Sequence, residues 1–161
     1  MRRARWAALG LLLVVVLGVG AGAAAAWSQG YRLYAVRTGS MSPVVPTGTL
    51  VVDAPPGGVA AVGSIITFRV GEGLATHRVH GASAAGVTTK GDANAAPDAW
   101  TIATQAIVGH VVAAVPRAGY VLVFFKQPTG SIALIAGILS TVLLWRLFFP
   151  ADDDAPAAPS T

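Results

Sequence analysis

The chain has 161 residues, of which 54% are hydrophobic and only 11% charged. A soluble domain carries about 25% charged residues, and a disordered chain needs low hydrophobicity, so this composition fits neither class. There is no cysteine, which excludes disulfides, thiolate metal sites and a cysteine nucleophile. The net charge of +4 is unevenly placed: Arg2, Arg3 and Arg5 open the chain, and Asp152, Asp153 and Asp154 nearly close it. No basic stripe with interleaved aromatics appears, so nucleic acid is not a partner the sequence supports.

Ala7 to Ala26 is a run without a charged or strongly polar side chain. In helical form it spans about 30 Å, the hydrocarbon thickness of a bilayer. Trp6 and Trp27 bracket it, as amphipathic rings do at a membrane interface. The rival reading is a cleaved signal peptide ending at Ala24-Ala25-Ala26, but the apolar run exceeds the 7–15 residues of a typical signal core. A second apolar run extends from about Ser131 to Phe149, interrupted by Arg146, whose long side chain can reach the headgroups. The basic N-terminus places 1–6 in the cytoplasm, 7–27 as the first transmembrane helix, 28–128 outside and 129–149 as the second span. The Ala/Pro/Asp-rich stretch 150–161 reads as a disordered cytoplasmic tail.

The segment between the spans reads as mainly β. Tyr31–Arg37, Thr49–Val52, Ser64–Val70, Leu74–His80, Val87–Thr89 and Ile107–Val115 are short runs rich in Val, Ile, Thr and Tyr. They are separated by Gly, Pro, Asn and Asp, and Gly71-Glu72-Gly73 has the composition of a hairpin loop. Tyr120–Phe125, just before the second run, can be read as a last strand or as a surface resting on lipid.

Reactive groups in this segment are few. In Thr38-Gly39-Ser40-Met41-Ser42-Pro43 a serine follows a strand in a turn-forming context; without a base it is a weak nucleophile, and the bland reading is a turn. In Thr76-His77-Arg78-Val79-His80 an imidazole can act as a proton acceptor, although a half-buried strand histidine is commonplace. His77, His80 and His110 could also be zinc ligands, but the spacing of His77 and His80 on a strand sends them to opposite faces. The stretch from Lys90-Gly91-Asp92 to Asp98 is either a polar loop or the source of a carboxylate that orients a histidine.

Taken together and in this order, these segments resemble type I signal peptidases, of the Ser-His branch shared by archaea, some Gram-positive bacteria and the endoplasmic reticulum. The stretch Thr38–Pro43 is similar to the family's nucleophile box. Thr76–Val79 is similar to its second box, with histidine in place of lysine. Lys90–Asn94 with Asp98 resembles its G-D-N box, and Gly109-His110-Val111 its short G-x-V box. The resemblance implies a small β-rich signal-peptidase-like catalytic domain flanked by two transmembrane helices. It implies a membrane-bound serine endopeptidase that removes N-terminal signal peptides from exported preproteins, after small residues at −1 and −3. Ser40 would be the nucleophile, His77 the general base, Asp98 the third member and Asp92 a supporting acid. The Ser40 N–H and the Thr38 hydroxyl would form the oxyanion hole, although the family carries serine at the Thr38 position. Met41 is a candidate for a pocket wall, and Lys90 is the runner-up base. No cofactor or metal is implied. Partners would be preprotein signal peptides, membrane lipid and the secretion translocon. The contrasting expectation is a membrane-anchored β scaffold without enzymatic activity.

Overall fold

The structure, a computed structural model, describes residues 2–57 and 60–149, with side chains from Trp6 onward. The expected cytoplasmic tail and the N-terminal arginine side chains lie outside the described residues. The chain divides into two units, residues 1–120 and 121–161. The first unit holds helix α1 (Arg2–Ser28), seven strands and the start of α2 (Ala118–Lys126). The strands are β1 (Arg32–Ala35), β2 (Leu50–Ala54), β3 (Ile65–Val70), β4 (Gly73–Ser83), β5 (Gly86–Lys90), β6 (Thr101–Ile102) and β7 (Ile107–Val115). The second unit holds the rest of α2 and helix α3 (Pro128–Phe148). The protein is mainly β with flanking helices.

The seven strands form one antiparallel sheet in the order β1-β2-β7-β3-β4-β5-β6. β3 and β4 form a hairpin in which Val70 opposes Gly73, leaving Gly71 and Glu72 as the loop. Gly71 has φ 55, a conformation that the first position of such a loop demands and that side chains resist. Alternation along β3 feeds two cores. Ile66 and Phe68 join Val79, Val87, Ile102 and Ile107 on one side. Ile65 packs on the other side against Met41, Val45 and Val51. Met41 is 1% exposed, so it is a core residue and not a pocket wall; its unbranched apolar chain fills the space under the loop that carries Ser40.

Trp6–Ser28 and Pro128–Phe148 are each long and apolar enough to cross a membrane, and neither is buried within the protein. The reading of Tyr120–Phe125 as a last strand is overturned, since these residues are helical in α2. β-propensity is a preference for a half-buried pleated surface, and among the described residues no strand pairs with this segment. A helix satisfies its own backbone groups where a lone strand cannot. The two-residue strand β6 was not expected from the sequence. It pairs Ile102 with Val87 and so covers the far edge of the sheet.

Candidate active site

Ser40 follows edge strand β1 through a short bend. The Ser42 N–H donates to Gly39 O at 2.9 Å and the Val45 N–H to Met41 O at 2.8 Å. Buried Met41 and Val45 pin this turn to the core, leaving the preceding Ser40 half-buried at the surface. A second loop holds it from the other side. The Ala93 N–H donates to Ser40 O at 2.8 Å, and a Cβ on Gly91 would stand 2.6 Å from that oxygen. Only glycine lets the two loops approach this closely.

His77 lies on β4 opposite Ile66 of β3. Its ring meets Phe68 edge-on, with centroids 6.0 Å apart. Ser40 Oγ lies 3.1 Å from His77 Nε2, and His77 Nδ1 lies 2.7 Å from Asp98 Oδ2. The carboxylate is an acceptor, so the imidazole proton is assigned to Nδ1, leaving Nε2 to receive the Ser40 hydroxyl proton. Asp98 is fixed by two further bonds to one strand residue. Its N–H donates to Thr89 O at 2.8 Å, and the Thr89 hydroxyl donates to Asp98 Oδ2 at 2.6 Å. The side chains of His77 and Asp98 are 12% and 8% exposed, which limits competition from water for these bonds. Thr38 Oγ1 lies 3.3 Å from Ser40 Oγ. The Ser40 N–H donates to no described residue.

The structure thus brings Ser40, His77, Asp98 and Thr38 together. It takes Asp92 elsewhere. Arg78 Nε and Nη2 donate to the two Asp92 oxygens at 2.9 and 2.7 Å, and Arg78 Nη1 to Gly63 O at 2.8 Å. These bonds hold the Asp92 carboxyl below its usual range, because a bidentate guanidinium favours the charged form. Asp92 therefore ties β4 to the loop that braces Ser40, and its carboxylate bonds to Arg78 rather than to the imidazole. Lys90 opposes Arg78 on β5 and lines a small cavity with His80 and Asp92, away from the groove containing Ser40. The three histidines line three different cavities, and among the described residues no cluster could hold a metal ion.

Two features were not visible in the sequence. Thr89 read only as a strand residue, yet its hydroxyl completes the hydrogen-bond chain; its place just before Lys90-Gly91-Asp92 was the one available signal. The second is a groove of about 750 Å³ containing Ser40 and His77. Residues 34–38 form one wall, and Gly73–His77 of β4 form the other, with Trp100 at its rim. Each wall includes an open strand edge, Tyr34–Ala35 of β1 on one side and β4 on the other. β1 pairs only with β2, and β5 covers β4 only from Arg78 onward. Val36 bonds inward, its N–H to Thr49 O and its carbonyl to the Gly48 N–H. By alternation, the backbone groups of Ala35 at the end of β1 point outward into the groove.

No protein-family model matches the chain, and no curated protein matches it.

Proposed function

We propose that the protein is a membrane-bound serine endopeptidase of the type I signal peptidase kind, Ser-His branch, acting on preproteins at the outer face of a cell membrane. The observation that carries this reading is the continuous chain from Ser40 through His77 to Asp98. A nucleophile, a base 3.1 Å away and an orienting acid are the elements a hydrolytic serine requires.

The geometry supports the following reaction. An extended peptide enters the groove and pairs with the open edges of β1 and β4, as strands add to a free sheet edge. Ser40 Oγ attacks the carbonyl carbon of the scissile bond while His77 Nε2 takes its proton. The tetrahedral oxyanion is met by the Ser40 N–H and the Thr38 hydroxyl. Asp98 stabilises the imidazolium. The C–N bond then breaks, the amine leaves with the proton from His77, and an acyl ester remains on Ser40. Water, deprotonated by His77, hydrolyses that ester and returns the serine.

The two apolar helices support membrane attachment. The basic N-terminus supports a cytoplasmic start, which puts 28–128 outside and returns the tail inside. Tethering enzyme and substrate to one surface raises their effective concentration.

The test uses the full-length protein in membranes with a preprotein bearing an Ala-x-Ala site. Wild type is expected to cut after the second Ala, Ser40→Ala and His77→Ala to abolish cutting, and Lys90→Ala to retain it. Absence of cleavage by wild type would favour the non-enzymatic scaffold. Retained activity in His77→Ala with loss in Lys90→Ala would overturn the assignment of the base.

A further inference from the structure

The groove carries one charged group that the hydrolytic machinery does not use. Its walls are otherwise apolar or neutral, with Tyr34, Val36, Leu74, Ala75 and Trp100 among them. His77 and Asp98 are bonded to each other. Arg37 also lines the groove, is exposed, and makes no ion pair or side-chain hydrogen bond with any described residue. It stands three positions before Ser40 and two past the end of β1, whose open edge a bound peptide would pair with. An extended chain covers about 3.3 Å per residue, so its guanidinium is within reach of peptide side chains close to the cut bond.

We propose that Arg37 is a specificity-determining residue, selecting peptides that carry a carboxylate side chain within about four residues of the scissile bond. The proposal rests on the peptidase reading and names the substrate class for that site. The guanidinium presents a planar fork that matches a carboxylate bidentately. A peptide laid in the groove displaces water around the pair, which strengthens it beyond an ordinary surface contact. A lysine in the same peptide position meets like charge instead, so the groove discriminates by repulsion as well as attraction.

The test uses the full-length protein in detergent and a set of peptides with an Ala-x-Ala site. Single Glu or Lys residues are placed at each nearby position except the two alanines. Wild type is expected to prefer Glu over Lys in kcat/KM by about fivefold to tenfold at one or two adjacent positions. That ratio should fall to near one in Arg37→Gln and invert in Arg37→Glu. A ratio unchanged by charge reversal would overturn the proposal. So would an unchanged ratio combined with weakened binding of Arg37→Glu to anionic vesicles, which would assign Arg37 to lipid phosphate. Ser40-dependent cleavage of the whole set regardless of charge would defeat this inference alone. Failure of wild type to cut any member would defeat the peptidase reading and the inference with it.

Discussion

The Thr89 hydroxyl and the His77 Nδ1–H converge on a single oxygen of Asp98, at 2.6 and 2.7 Å. Thr89 is fully buried, so water does not substitute for it. The hydroxyl fixes the rotation of the carboxylate, and the carboxylate fixes the tautomer of the imidazole. On the peptidase reading, Thr89 is therefore a positioning residue acting through Asp98. Thr89→Val, which keeps the shape and removes the donor, is expected to lower kcat about tenfold with little change in KM. Thr89→Ser should restore most of it. Asp98→Asn should lower kcat by about 10³-fold or more, because an amide can present a donor to Nδ1 and reverse the tautomer. Steady-state kinetics on a soluble peptide checks all three, and equal losses in Val and Ser variants would deny Thr89 this role.

The Arg78–Asp92 pair gives a prediction in acid. Its bonds lower the Asp92 carboxyl from the ordinary 3.8. A depressed acid stabilises the fold above its unfolded value, and that contribution fades as pH falls through the folded value. The Arg78 side chain is 34% exposed, so screening limits the pair to about 1 kcal/mol. Asp92→Asn is expected to lower the melting temperature at pH 7, with the deficit shrinking as pH falls below 3.8. Thermal melts across that range test it. A deficit independent of pH would mean the loss came from packing alone.

Asp53 gives the opposite sign. It is 1% exposed on β2, beside Gly109 of β7, and neither carboxyl oxygen has a hydrogen-bond partner among the described residues. Burial pushes its carboxyl above 3.8, an effect that the nearby Thr67 hydroxyl and His110 only partly offset. That hydroxyl is engaged with Thr76 Oγ1 at 3.0 Å. A raised acid binds its proton more tightly in the folded state, so stability falls as pH rises from 3.8 through the folded value. Asp53→Asn removes that charge and is expected to stabilise the protein at pH 7 by about 1 kcal/mol. The gain should disappear below the unfolded value. A destabilised variant at pH 7 would show that the carboxylate is solvated or paired there.

Much of the architecture is legible in the order of the residues. Twenty apolar residues between two tryptophans can hardly be anything but a membrane-length helix, because length and composition alone set that property. Ser64–Val70 and Leu74–His80 read as a hairpin because both the alternation and the Gly-Glu-Gly loop are local signals. Tyr120–Phe125 misleads for the converse reason. Its β-branched and aromatic residues suit a strand only where a neighbouring strand can pair with them, and among the described residues none does.

The candidate site divides along the same line. Ser40, His77 and Asp98 can be named from their order along the chain, through resemblance. The choice of acid rests on that resemblance alone, since Asp92 and Asp98 lie in one short loop and spacing does not choose between them. The fold chooses: Asp92 carries both its oxygens to Arg78, and Asp98 is anchored on Thr89 facing His77. The sequence by itself determined the chemistry available: an apolar chain with two membrane-length helices, few charges, no thiol and Ser40 set in a turn. Only the tertiary structure decided which of those groups touch, and that a groove with two open strand edges runs past them. Contacts between residues 37 positions apart depend on sheet register and loop packing, which no local pattern encodes.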